Sequence, residues 1–261
     1  MESISLSPAA LKEGLAYAEH NLLPESRHLI EAKEVILRNF DMTDKHILDF
    51  GSGMGAMTLW VAEKTHSFID GFDIDPNHVA VSQELLKRYP NPRVSFDVRN
   101  IIENPIDKQY DMIMLTDVVE HLKLEWLPHI FKILITRNLK PGGTLFLCYP
   151  PWEGPQASHM KTPIKIPWIQ FLPHRWVVAI MRKYNRPNVG RGDMLQDYLE
   201  LNHINHARLM KLLAPFGLER TLRVSHTKFN ALPFLRHTNL NFFPFIYLVT
   251  HEIIAFKKPN E

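Results

Sequence analysis

The 261-residue chain has one cysteine, little net charge and no long unbroken apolar run. Each scarcity excludes something. Cys148 alone cannot build a disulfide framework or an all-cysteine metal site, so a strand thiol in a reducing compartment is expected. The uncharged stretch from His237 to Thr250 is broken by Asn239, Asn241 and Pro244, which argues against a membrane span. The first residues lack the basic-then-apolar pattern of a secretory signal, and the expected location is cytoplasmic. No internal repeat or low-complexity tract is visible. The net charge of +2 hides an imbalance. Residues 1–150 hold 15 Lys/Arg against 21 Asp/Glu, a balance of −6, and residues 151–261 hold 15 against 7, a balance of +8. A basic part of this kind either faces an anionic partner or is a solvated surface.

What is present is alternation. Two helices are predicted first, one over 7–20 and one after Pro24, where Leu29, Ala32, Ile36 and Phe40 keep helical spacing. From Lys45 onward short apolar strands, "HILDF", "FIDGFDI", "RVSFDV", "YDMIMLT" and "GGTLFLCY", alternate with amphipathic helices near 54–65, 76–89 and 122–138. This pattern predicts an α/β fold with a parallel sheet covered on both faces. After Tyr149 it breaks into a Pro-, Trp- and Arg/Lys-rich segment, then resumes with a helix over 203–214 and strands at "LERTLRVSH" and "FIYLVTHEIIAFKK". One domain is expected: N-terminal helices over 1–44, a core over 45–150, an inserted lid over 151–200, and a helix with strands over 201–261 that complete the sheet. Residues 227–244 read as a second insertion.

The most informative stretch is "ILDFGSGMG", where a strand meets three spaced glycines and turns helical. A dinucleotide turn would carry G-x-G-x-x-G, and a phosphate loop a Lys-Ser/Thr pair; neither is present. Asp49 instead puts a carboxylate where a pyrophosphate would lie, which repels phosphate and attracts an ammonium group. Asp73 ends the next strand, twenty-two residues after Gly51, the separation at which an acid reaches ribose hydroxyls. Asp75, before Pro76, reads better as a helix cap. The turn therefore suits a cationic nucleoside without phosphates.

Taken in order, "ILDFGSGMG", "GFDIDP", "YDMIMLTDVVEHL" and "LKPGGTLFL" resemble the motifs of class I S-adenosylmethionine-dependent methyltransferases, over roughly residues 45–150. The resemblance implies a Rossmann-like, doubly wound, mostly parallel seven-stranded sheet with the last strand antiparallel, and S-adenosyl-L-methionine as cofactor. It implies that Gly51, Ser52, Gly53 and Gly55 pass beneath the methionine part, that Asp49 helps hold its amino group, and that Asp73 binds the ribose. Thr116, closing the fourth strand, joins this set. Asn100 stands where the family often has an acid touching the adenine amine, with Asp97 as the competing position. Ile74 and Ile101 would sandwich the adenine, or else serve as ordinary core.

Methyl transfer to oxygen or nitrogen benefits from a nearby base, and His121 in "TDVVEHL" is the candidate, unless it only packs on the adenosine. No metal is expected. An alternative rests on Asp117, Glu120 and His121, a D-x-x-E-H string that resembles the metal cluster of small-RNA 2′-O-methyltransferases and ubiquinone-pathway O-methyltransferases, with His159 as a further ligand. "YPPW", Tyr149 to Trp152, lacks the side-chain oxygen that a base-methylation motif needs first, and is rejected as one. The 151–200 segment is similar to parts of bacterial glycan-pathway methyltransferases. Tyr149, Trp152, His159, Trp168 and Arg175 are its candidate acceptor-facing residues; Trp176 could stack on a sugar or ring, and Lys161 and Lys165 could meet a phosphate. The expected partner is a small-molecule acceptor, anionic or carbohydrate, in preference to nucleic acid. Membrane contact by 165–184 ranks below a closed lid, because Pro167 and Pro173 interrupt any continuous amphipathic helix. A non-catalytic cofactor-binding subunit is the remaining alternative.

Overall fold

In the computed structural model, which describes residues 6–24, 26, 28–159, 166–185, 187–188, 192–235 and 238–260, two helices precede the first strand: α1 (Pro8–Leu22) and α2 (Ile30–Asn39). Pro8 at the first helical position and Ser7, whose Oγ accepts from Ala10 N at 3.2 Å, start α1. Then follow β1 (His46–Phe50), α3 (Ala56–Thr65), β2 (Phe68–Asp73), α4 (Pro76–Arg88), β3 (Val94–Val98) and β4 (Tyr110–Thr116). Asp75 caps α4, its Oδ1 accepting from Asn77 N at 2.8 Å, as its place before Pro76 predicts. After α5 (Leu127–Lys132) a π-turn over Ile133–Asn138 leads into β5 (Leu139–Tyr149). Further on lie α6 (His174–Lys183), α7 (Met194–Glu200), α8 (His206–Leu213), β6 (Glu219–Thr227) and β7 (Val249–Lys257).

The seven strands form one sheet in the order β3-β2-β1-β4-β5-β7-β6. β7 runs antiparallel to both β5 and β6, and the other pairings are parallel. Both faces are covered, which explains the nearly continuous apolar runs. Alternate residues serve opposite layers. Ile47, Met112, Met114 and Phe146 pack under α1 to α4, while Leu48, Ile113, Leu115 and Leu147 pack against α5 and α8. Each fully buried aliphatic of this kind contributes roughly 1.5–3 kcal/mol.

Several boundaries differ from the sequence expectation, three of them for a plain local reason. The helix expected over 122–138 starts only at Leu127, because residues 118–126 are spent on turns. The helix expected from residue 203 starts at His206, where Asn205 caps it by accepting from Arg208 N at 2.9 Å. The last strand starts at Val249, after Pro244 and a 3₁₀ turn over Phe245–Leu248.

A buried polar network ties the carboxy-terminal strands to β5. Glu252 on β7, 2% exposed, accepts from Tyr149 Oη at 2.5 Å and from Arg223 Nε at 2.6 Å, and His206 Nδ1 lies at 3.0 Å. Burial would raise its carboxyl, but His206, Tyr149 and Arg223 hold it below the usual range. Among the described residues no helix is long and apolar enough to cross a membrane.

Candidate active site

The turn after β1 opens at the carboxyl ends of the parallel strands, where open α/β sheets bind ligands. Gly51 and Gly53 both adopt left-handed backbone, with φ of 79° and 54°. A Cβ at Gly51 would sit 2.5 Å from Val118 Cγ2, so glycine is required there by close packing. At Gly53 nothing stands within 4 Å of the Cβ position, leaving open space above the backbone. Gly51 N and Ser52 N both donate to Phe72 O, at 2.7 and 3.0 Å, which fixes the turn against the end of β2.

Two cavities meet at this turn, and Gly51 and His121 line both. The smaller, about 470 Å³, holds Asp73, Ile74, Asn100, Ile101 and Trp126 among its walls. The larger, about 770 Å³, holds Asp49, Ser52, Gly53, Gly55 and Thr116 on its core side. Its far side comes from α1 (Glu13, Tyr17, Asn21), His28, residues within 150–159 (including His159), Ile166 and Pro167, and Lys228 and His251 further along the chain.

The two acids behave differently. Asp49 is 2% exposed and accepts from Thr58 Oγ1 at 2.6 Å; burial, only partly offset by that bond and reinforced by Asp73, pushes its carboxyl up to about 6. Asp73 is also buried, yet burial is outweighed by His78, with Nδ1 at 3.7 Å, and by the N–H groups of Asp75 and Gly53 at 2.9 and 2.8 Å. Its carboxyl stays below the usual range and ionised at neutral pH. Each of its oxygens retains acceptor capacity toward a ligand hydroxyl.

A phosphate-free cationic nucleoside fits this donor set. Ser52 Oγ and Thr116 Oγ1 are buried beside the larger cavity without a hydrogen-bond partner among the described residues, so a polar ligand would complete them. Ile74 and Ile101 flank the smaller cavity, Ile74 exposed and Ile101 buried. Asn100 lines it as well, although its Oδ1 already accepts from Ile102 N at 3.1 Å; Asp97 lies outside, paired with Arg99 at 2.6 Å.

His121 lies with Glu120 and His159. Glu120 Oε1 is 4.0 Å from His121 Nε2 and 3.7 Å from His159 Nε2, and the two imidazoles meet edge to face at 4.8 Å. Among the described residues these three are the one group with atoms close enough to share a cation. Asp117 is a correction to the D-x-x-E-H cluster: its backbone is left-handed, φ 53°, and its Oδ1 turns to His251 Nε2 at 3.7 Å.

The acceptor-facing set needs further correction. Tyr149 lines neither cavity; it is fully buried and bonded to Glu252, and burial raises its hydroxyl well above the usual range. Trp152 stacks on His203, centroids 3.7 Å apart, and packs onto a small cluster of Ile169, Val177, Met181, Tyr198 and Leu201. Trp168 Nε1 donates to Tyr247 O at 2.7 Å. Arg175 lies on the exposed side of α6, away from both cavities. Only His159 of that set reaches the larger cavity. Lys161 and Lys165 lie outside the described residues. Sequence reasoning missed Trp126 and the α1 wall, although Glu13, Tyr17 and Asn21 form an i, i+4 polar stripe that could have signalled it.

Comparison with known proteins agrees with this geometry. Residues 47–143 match the family model described as a methyltransferase domain. Phosphoethanolamine N-methyltransferase of Plasmodium falciparum is 29% identical over 120 residues, 45% of this chain and 44% of that protein. Ajmaline N-methyltransferase of Rauvolfia serpentina is 32% identical over 81 residues, 30% of this chain and 28% of that protein. The chain thus matches less than half the length of these curated relatives. Among solved structures, geranyl diphosphate C-methyltransferase from Streptomyces coelicolor, in complex with Mg²⁺, geranyl diphosphate and S-adenosyl-L-homocysteine, superposes with a TM-score of 0.58 at 17% identity, covering 97% of this chain and 88% of that one. Phosphoethanolamine N-methyltransferase 2 of Haemonchus contortus gives 0.59 at 16%, covering 95% and 56%. In its sheet order, its glycine turn and the methyltransferase-domain match over residues 47–143, the core of this chain is similar to the class I S-adenosylmethionine-dependent methyltransferases.

Proposed function

We propose that the protein transfers a methyl group from S-adenosyl-L-methionine to oxygen or nitrogen of a small-molecule acceptor, with a sugar or glycan precursor favoured. The observation that carries this reading is the junction of the two cavities at Gly51 and His121. The smaller cavity suits the adenosine, with Asp73 accepting from the ribose hydroxyls. The glycine turn and Asp49 suit the methionine end, and the remainder of the larger cavity is left for an acceptor. When bound, the cofactor supplies a methyl carbon activated by positively charged sulfur, and the acceptor displaces that sulfur with its electron pair. Asp49 and Asp73 align the donor, and His121 takes the acceptor's proton. Glu120, 3% exposed, sits where it would meet the resulting imidazolium. The 151–200 segment acts as the lid that keeps water out. Its mixture of imidazoles with Lys228 and Asp197 around the larger cavity supports a polar, hydroxylated acceptor.

Methylation of RNA ribose is the weaker enzymic reading, because Asp117 turns away from Glu120 and His121. Calorimetric titration with S-adenosylhomocysteine tests the reading first; micromolar-range binding is expected, and binding of NAD in its place would sink it. His121→Ala should then lower turnover by about 10²–10⁴-fold with the titration nearly unchanged. Stoichiometric binding with no turnover across broad acceptor panels would point instead to a non-catalytic subunit.

A further inference from the structure

We propose that an aromatic face built around Trp168 and Phe171 on one segment and Phe242, Phe243, Phe245 and Tyr247 on another docks the protein on an anionic lipid bilayer, and that the bilayer presents an amphiphilic acceptor to the larger cavity. The acceptor clause rests on the methyltransferase reading above; the docking does not.

The two segments are far apart in sequence but joined in space. Trp168 donates to Tyr247 O, and the rings of Phe171 and Phe243 each lie 6.4 Å from that of Tyr247. Phe242 meets Phe245 at 5.2 Å. Of this cluster Phe243 is 76% exposed, Phe242 55% and Phe171 54%, and Trp176 and Phe234, elsewhere on the same two stretches of chain, are 53% and 79% exposed. Large aromatics carry 150–250 Å² each, so the face amounts to several hundred Å² of apolar surface, more than scattered surface hydrophobics explain.

Charge selects the occupant. Residues 166–185 and 228–247 contain no Asp or Glu, whereas Arg175, Arg182, Lys183 and Lys228 stand among them. On α6 Val177 and Met181 turn inward, while Arg175, Trp176, Arg182 and Lys183 stay exposed. Exposed aromatics with cations and without acids match the boundary between acyl chains and anionic headgroups. The proline interruptions that counted against a single amphipathic helix lose their force, because the face is assembled from two insertions. Its edge is also the mouth of the larger cavity, which Ile166, Pro167 and Lys228 line. An amphiphile could enter there with its tail still in the bilayer.

The test is co-sedimentation of the full chain with vesicles of equal parts phosphatidylcholine and phosphatidylglycerol, against phosphatidylcholine alone. Binding to the anionic vesicles at least about tenfold stronger, and weakened by salt, is expected. Phe171→Ser with Phe243→Ser should lower it about tenfold, and Arg175→Glu with Arg182→Glu should abolish the preference for phosphatidylglycerol. Unchanged S-adenosylhomocysteine titration in these variants would show that they remain folded. If the wild type does not sediment with anionic vesicles, or if the phenylalanine pair can be replaced without effect, the docking proposal is wrong. A dimer in light scattering that the same pair breaks, with no vesicle binding, would reassign the face to a second copy. Loss of cofactor binding in the wild type would remove only the acceptor clause.

Discussion

The acidic first 150 residues and the basic remainder build their sites in different ways. In the first region the polar groups that line the cavities beside the glycine turn stand at strand ends: Asp49 is next to last in β1, Asp73 closes β2 and Thr116 closes β4. The spacing that makes the strand also delivers the side chain. The far wall of the larger cavity is gathered instead from α1 of the first region and, in the second, from residues within 150–159 and 166–167 together with Asp197, Lys228 and His251. No local pattern predicts which of those side chains turn inward. The side proposed for the cofactor is therefore defined by short-range geometry and the side proposed for the acceptor by long-range packing.

The largest expected effect would sharpen that contrast. Asp73→Ala removes the low, ionised carboxylate of the smaller cavity and should weaken S-adenosylhomocysteine binding by more than about 100-fold, or about 2.7 kcal/mol. Calorimetry decides; an unchanged titration would end the ribose assignment.

Asp49→Asn should separate binding from stability. The folded carboxyl is raised to about 6 from 3.8. Protonation is therefore favoured by the fold, and stability contributed below about pH 4 is lost as pH rises toward 6. Above that the ionised group costs on the order of 2–3 kcal/mol. The amide, still able to accept from Thr58, should raise the melting temperature at pH 8. It should also weaken cofactor binding about tenfold. Wild-type affinity should climb as pH rises through about 6 and the variant's should not, and a parallel pH profile in both would contradict the assignment.

Tyr149→Phe should have the smallest effect, felt where β5 of the first region meets the carboxy-terminal strands of the second. It removes one hydrogen bond to Glu252, which keeps Arg223 and His206. A loss of about 1–2 kcal/mol in denaturant unfolding is expected with cofactor binding unaltered. Weakened S-adenosylhomocysteine binding would mean that the network reaches the site after all.

The sequence's hold on each region can be traced through particular residues. The glycine turn and the strand-end positions of both acids agree with expectation, because strand periodicity acts over short separations, while the antiparallel β5–β7 pairing agrees with what the family resemblance implied. Trp152 and Trp168 were expected at an acceptor, but one stacks on His203 and the other bonds to Tyr247, since large aromatics at irregular spacing take whatever surface the fold brings to them. The D-x-x-E-H string was read as one cluster, yet Asp117 in left-handed backbone points to β7 while His159 takes its place beside Glu120. A four-residue string fixes which groups are close along the chain, not the direction in which each side chain leaves the backbone.

By itself the sequence determined the alternating α/β sheet, the glycine turn and the two carboxylates beside it, because these follow from periodicities of a few residues and from charge. Only the tertiary structure decided which histidines meet, which tryptophans are core, and that two insertions share one aromatic face. Those outcomes depend on chain segments tens of residues apart being packed together, and packing is chosen by the whole fold at once.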